Sequence, residues 1–254
     1  MPVNDELGMR MKNFYENRSK TALMRRMPVA IRIDGKAFHT FTRGFKKPFD
    51  TILIAAMQET MKYLCENIQG CVLGYTQSDE ITLILKDYTK LETDAWFDYE
   101  VQKICSVSAS MATMAFNKNF QYLVKKALNN HDINIFEYSD IYSRDAMFDA
   151  RCFNIPKEEV TNLIYWRQLD ATRNSIQMVG QAYFSHKELQ NKSCNNIQDM
   201  LWEEKDINWN AYPTTLKRGS CCIKSEKGWI IDNEIPIFKN EGREYIEKLI
   251  QPEE

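Results

Sequence analysis

The stretch that decides the fold is Gly74 to Leu85, GYTQSDEITLIL. Strand-forming residues break at Gln77-Ser78-Asp79-Glu80 and resume at once, so Cys71 to Tyr75 and Ile81 to Leu85 read as an antiparallel hairpin with Asp79 at or near its tip. Two carboxylates are thereby held against a sheet.

Working outward, Pro28 to Asp34 (PVAIRID) is a short β-branched strand that ends in the turn formers Asp34-Gly35. From Thr51 to Glu66, Ile54, Met57, Met61 and Leu64 recur three and four apart behind Asp50, which spells a helix with Asp50 as its N-cap. Leu7, Met11, Phe14 and Tyr15 predict a helix within the first 27 or so residues. A further helix runs from Tyr99 to about Asn117, with the small residues Ser108, Ala112 and Ala115 on the face that packs closely on a sheet. Phe148 to Ile155 is a strand, and Pro156 opens a long helix at its favoured first position. This order of elements argues for an α+β fold, an antiparallel sheet covered by helices on one face, with a mixed C-terminal region.

Composition narrows the function classes. The 254 residues suffice for a sizeable core. A net charge of -2 gives no global basic field, so any polyanion site has to be local. Seven cysteines without a C-x-x-C motif and three histidines argue against a disulfide framework or a zinc site, and fit a cytoplasmic location. No export signal and no run of about 18 apolar residues is present, so no membrane partner is expected. P-loop, Rossmann and nucleophile-elbow motifs are absent.

The aspartates remain. Asp34 ends one strand and Asp79 sits at a hairpin, so neighbouring strands can bring both to one sheet edge, where a sparse carboxylate pair suits magnesium, which takes its other ligands from water and phosphate. The Gly35 carbonyl could complete such a site. Gly35 lacks a Cβ and lets its backbone approach a phosphate, the amides of Lys36, Ala37, Phe38 and His39 could line the same oxygens, and Arg43, Lys46 and Lys47 could counter the charge. Against this stands the plainer reading, in which Asp-Gly is only a turn and Asp79-Glu80 only solvated. Neighbours on a strand point to opposite faces, so Glu80 should orient or start the strand rather than share a metal with Asp79. Lys217 and Arg218 could touch an RNA backbone.

RIDGKAFHTF (Arg32 to Phe41), FKKPFD (Phe45 to Asp50) and YTQSDE (Tyr75 to Glu80), in this order, resemble the histidine-tRNA guanylyltransferase family, and the likeness continues through KICSVSASMATMAF (Lys103 to Phe116), FDARCFNIP (Phe148 to Pro156) and YWRQLDATRNS (Tyr165 to Ser175). The resemblance implies a polymerase-palm-like fold; the polar stretch HDINIFEYSDIYSRD marks a boundary near residue 135, with residues 1-135 as the palm-like catalytic region and 136-254 as a helical and mixed region of the same compact unit. It implies a 3′-to-5′ nucleotidyltransferase that adds nucleotides to the 5′ end of tRNA by two-metal chemistry after 5′ activation. Asp34, Asp79 and Glu80 would be the catalytic set, with two Mg²⁺ ions on Asp34, Gly35 and Asp79. ATP and GTP would be substrates, contacted by residues 34 to 39, Ser78, Asp79, Lys47 and Lys103, with Asp50 and His39 near the activating nucleotide and Asn174 also in the nucleotide site. A homo-oligomer, typically a tetramer, is implied as well.

The chain departs from the family at one place. Members that add an extra guanosine carry His-Ile-Asn-Asn-Leu-Tyr-Asn where this chain reads Thr172-Arg173-Asn174-Ser175-Ile176-Gln177-Met178, keeping Asn174 and an aliphatic at Ile176. That points to the guanylyltransferase-like branch, for which the resemblance implies templated repair of truncated tRNA 5′ ends. A palm-type nucleotide cyclase and a non-catalytic RNA-binding module are the alternatives.

Overall fold

The computed structural model describes residues 5–130, 133 and 141–252. Six strands form one sheet: β1 (Val29–Gly35), β2 (Cys71–Gln77), β3 (Glu80–Leu85), β4 (Phe148–Asn154), β5 (Ser220–Ser225) and β6 (Gly228–Asp232). Their spatial order is β4-β1-β3-β2-β5-β6, and every neighbouring pair is antiparallel. The hairpin is tighter than its sequence suggests. Gln77 pairs with Glu80, so Ser78 and Asp79 alone make the turn, with Ser78 at φ 51°.

Alternation along the strands sends Val29, Ile31 and Ile33 of β1 and Ile81, Leu83 and Leu85 of β3 to one face. That face is covered by α3 (Thr51–Asn67) through Met57, Met61 and Leu64, and by α4 (Val101–Asn129) through Ile104, Ala112, Phe116 and Phe120. The short helix α2 (Phe38–Phe41) drops Phe38 and Phe41 into the same core, where their rings lie 5.6 Å from Phe116. Such pairs add about 0.5–1.5 kcal/mol each beyond their buried area, which anchors the loop that follows β1.

Cover on one face only was expected, and here the structure differs. Ala30, Leu73, Tyr75 and Ile84 make the strands apolar on their second face too, and α5 (Lys157–Tyr183) packs there through Val160 and Ile164, joined by Ile235, Phe238, Ile246 and Ile250. Strands that are buried on both sides cannot show simple alternation. Further α-helices among the described residues include α1 (Glu6–Phe14), which buries none of its residues, α6 (His186–Leu189), α7 (Cys194–Lys205), α8 (Thr214–Arg218) and α9 (Glu244–Glu247). α4 continues to Asn129, past the expected end at Asn117.

The expected boundary at residue 135 lies outside the described residues. Strands from both sides of it share the one sheet, because β4 pairs with β1 and β5 pairs with β2. Among the described residues no helix is long and apolar enough to cross a membrane.

Candidate active site

The C-terminal end of β1 meets the β2–β3 turn. Asp34 stands opposite Glu80 in the β1–β3 register, and the Gly35 amide donates to the Asp79 carbonyl at 3.1 Å, which locks the two aspartate-bearing segments together. Both aspartates are half-buried. Burial pushes the Asp79 carboxyl above its ordinary value; the Ser78 hydroxyl, donating at 3.0 Å, pulls it back, and the charge of Asp34 pushes it up again. Two carboxylates that repel one another at a sheet edge are poised to gain from a divalent cation. Among the described residues no three His, Cys, Asp or Glu side chains converge on one point, so further ligands would come from backbone, water or phosphate.

Beyond Gly35 the chain reverses through Ala37, held at φ 53°. The Lys36 amide donates to Met147, while among the described residues the amides of Ala37, Phe38 and His39 find no protein acceptor. Free amides at such a reversal form a concavity suited to phosphate oxygens. Packing gives a further reason for glycine at position 35: a Cβ there would lie 2.2 Å from the Phe38 ring.

These groups open onto a cavity of about 550 Å³ that gathers Gly35, Ala37, Phe38, His39, Lys46, Lys47, Asp50, Ser78 and Asp79. The volume is in the range of small-molecule sites. Its outer wall includes Met178 and Gln181 of α5. Asp50 caps α3 as the sequence indicated, accepting from the backbone amides of Ile52 and Leu53 at 3.0 Å each, and its other oxygen accepts from the Lys46 backbone amide at 3.2 Å. It therefore holds the lysine loop over the cavity. Asn174 lines a smaller chamber of about 100 Å³ behind Asp50 and Ser78, where Gln58 donates to Thr215, Ser220 and Asn233.

Glu80 is buried at 4 % exposure on the face that carries Asp34. Arg167 donates to its Oε1 at 2.7 Å, and Arg32 lies 3.5 Å from its Oε2. Both oxygens are engaged by arginines. Arg167, also ion-paired to Asp170 at 2.9 Å, was missed by sequence reasoning, because nothing local in helix α5 says which strand residue it will meet.

One expected nucleotide contact lies elsewhere. Lys103 is near the start of α4, over the Phe97 ring at 5.2 Å, whereas the part of α4 that reaches the Gly35 end is Thr113, which accepts from the Phe148 amide. That separation is roughly ten residues, or about 15 Å along the helix. Lys217 donates to the Asn210 carbonyl at 2.6 Å, and burial first and Arg218 second lower its pKa, so it is not a freely solvated cation. Arg218 is half-buried, and its carbonyl accepts from the Tyr75 hydroxyl.

Known proteins resemble this chain in sequence and in fold. The sequence profile of tRNAHis guanylyltransferase matches residues 8–156, more than half of the chain. An uncharacterized protein of Acanthamoeba polyphaga mimivirus is 30% identical over 85% of this chain and 76% of its own length. The tRNA(His) guanylyltransferase of Saccharomyces cerevisiae is 28% identical over 80% of this chain and 84% of its own. Among solved structures, a bacterial tRNA(His) guanylyltransferase-like protein in complex with ATP superposes with a TM-score of 0.85 at 47% identity, covering 96% of this chain and 99% of that one. A bacterial protein of the same description in complex with GTP gives 0.75 at 41%, with the same coverage. The chain belongs to the tRNAHis guanylyltransferase family and is a nucleotidyltransferase.

Proposed function

We propose that the protein adds nucleotides to the 5′ end of a tRNA in the 3′-to-5′ direction, with Asp34, Asp79 and the Gly35 carbonyl holding two Mg²⁺ ions beside a nucleoside triphosphate in the 550 Å³ cavity. The observation that carries this reading is the convergence of Asp79, three unpartnered amides and two lysines at one cavity, with Asp34 next to its Gly35 rim and close enough for its charge to raise the Asp79 pKa. When bound, the ions would neutralise triphosphate charge and lower the pKa of the attacking hydroxyl. Lys46, Lys47 and Ser78 hold phosphate oxygens with the amides of residues 37 to 39, His39 stands at the nucleotide, and Asp50 positions the lysine loop. The RNA 5′-monophosphate is first activated with ATP, or arrives as a triphosphate. The 3′-hydroxyl of the incoming nucleotide, GTP among others, then attacks the activated phosphorus and the activating group leaves.

Templated repair is favoured over guanosine addition to an intact histidine tRNA. Its support is the replaced Thr172 to Met178 stretch, of which Asn174, Ser175 and Met178 line the 100 Å³ chamber and Met178 also the 550 Å³ cavity, together with 47% identity to a bacterial guanylyltransferase-like protein against 25% to the yeast enzyme structure. A cytoplasmic location fits such a substrate. A homo-oligomer, tetrameric by the family resemblance, is supported by the exposed apolar residues Leu7, Met11, Phe14 and Tyr15, and would let Lys103 serve a neighbouring copy. Sedimentation velocity tests this, and a monomer at micromolar concentration overturns it.

The deciding experiment incubates a tRNA transcript lacking its first nucleotide with protein, Mg²⁺, ATP and labelled GTP, beside the Asp79→Ala protein. Label at the 5′ end from the unmodified protein alone is the expected result. Incorporation by Asp79→Ala, or cyclised nucleotide without RNA, refutes the mechanism.

A further inference from the structure

On the sheet face that carries Asp34 and Glu80, α5 places Trp166 half out in solvent, with 50% of its surface exposed. The Arg167 guanidinium lies 4.4 Å and that of Arg32 5.7 Å from the indole centroid. Arg32 precedes Asp34 by two strand positions on the same face, roughly 7 Å along β1. The Arg32 side chain makes no hydrogen bond among the described residues: its Nε is buried and unpartnered, and its charge contact is the long one to Glu80. Asp34 thus has a different feature on each side. The triphosphate cavity starts at Gly35, and an aromatic surface flanked by arginines starts at Arg32.

We propose that Trp166 is the stacking platform for the 5′-terminal base of the acceptor RNA, with Arg32 beside it for the adjoining phosphate. The inference rests on the function proposed above and names how that site takes its second substrate. Transfer between a nucleotide and an RNA end needs both substrates at one pair of aspartates, and the cavity accommodates only the first. An indole face accepts any base, which suits an enzyme whose RNA ends differ in sequence. The arginines keep the ring fixed: Arg167 is held by Glu80 and Asp170, so Trp166 stands on a braced element. The bland alternative is a tryptophan that merely shields the Arg167–Glu80 ion pair.

The test uses a tRNA transcript lacking its first nucleotide and carrying 2-aminopurine at the new 5′ end, with a second transcript labelled at an internal position of the acceptor stem. Binding to the full-length protein should quench the terminal probe and leave the internal one bright, and Trp166→Ala should abolish the quench. In turnover, Trp166→Ala should raise the RNA KM about fivefold to a hundredfold, the range expected for one lost stack, with the ATP KM unchanged and Trp166→Phe recovering most of the loss. Equal quenching by Trp166→Ala overturns the proposal. So does a loss confined to thermal stability or to the ATP KM, which is what shielding of the ion pair would produce. Terminal quenching without any nucleotide addition by the unmodified protein would instead leave the platform standing and refute the proposed activity.

Discussion

At the scale of single residues, Asp79 reports on the metal site without any assay of activity. Its folded-state pKa is raised, so the stability it contributes is present at low pH and is lost as pH rises through the shifted value; at neutral pH its ionised form costs the metal-free fold. Asp79→Asn should therefore melt no lower than the unmodified protein in a chelator at pH 7.5. Adding Mg²⁺ should raise the unmodified protein's Tm by about 2–4 °C per kcal/mol of binding and leave the variant unmoved, measured by scanning calorimetry. An equal Mg²⁺ response in both would remove Asp79 from the site. Glu80 behaves differently because its partners are fixed cations. Arg167→Met strands a buried carboxylate, and we expect a loss of about 3–5 kcal/mol in urea unfolding, most of it recovered when Glu80→Gln is added. A cost equal in the single and double variants would show that the pair is not the unit.

At the scale of elements, the hairpin is seated by a connection far from it in sequence. β5 enters the sheet beside β2 through Gly219, at φ 83°, where a Cβ would lie 2.4 Å from the Thr76 carbonyl oxygen, and the Tyr75 hydroxyl donates to Arg218 at 2.7 Å. An alanine there suffers both a left-handed backbone and a clash with another strand's backbone. Gly219→Ala should cost at least about 2 kcal/mol, seen as a lower urea midpoint at an unchanged m-value. A midpoint within error of the unmodified protein would mean that the α8–β5 connection yields easily. Because Thr76 and Gln77 lead directly to Ser78 and Asp79, the same variant should also weaken nucleotide binding.

At the scale of the whole molecule, the second face of the sheet depends on the end of the chain. Ile235, Phe238, Ile246 and Ile250 are each at most 2% exposed, and the Lys86 ammonium and the Tyr88 hydroxyl donate to the carbonyls of Gln251 and Ile250 at 2.8 Å. Burial of such a side chain contributes about 1.5–3 kcal/mol, so four of them together rival the roughly 5–15 kcal/mol that holds a domain folded. Ending the chain at Asp232 should therefore leave no cooperative unfolding transition by circular dichroism, although every proposed site residue is retained. A truncated chain that still melts cooperatively would show that the palm-like sheet stands with one face covered. The net charge of -2 acts at this scale too, since RNA must be gathered by local groups rather than by a global field.

The sequence by itself determined what depends on neighbours along the chain. The β2–β3 hairpin, the strand ending in Asp34-Gly35, the capping of α3 by Asp50 and the placing of Asp79 at a turn all follow from periodicity and turn chemistry over a few residues. Motif order then carried the family. Tertiary structure alone decided which distant groups meet: that Arg167 holds Glu80, that Phe38 leaves no room for a Cβ at position 35, that β5 lies beside β2, that Lys103 is far from the aspartates and that Trp166 stands beside Arg32. The reason is physical. A turn or a cap is settled by backbone geometry within one or two turns of chain, whereas an ion pair or an aromatic contact is settled by how helices cross a sheet, and strands buried on both faces leave no alternation from which that crossing could be read.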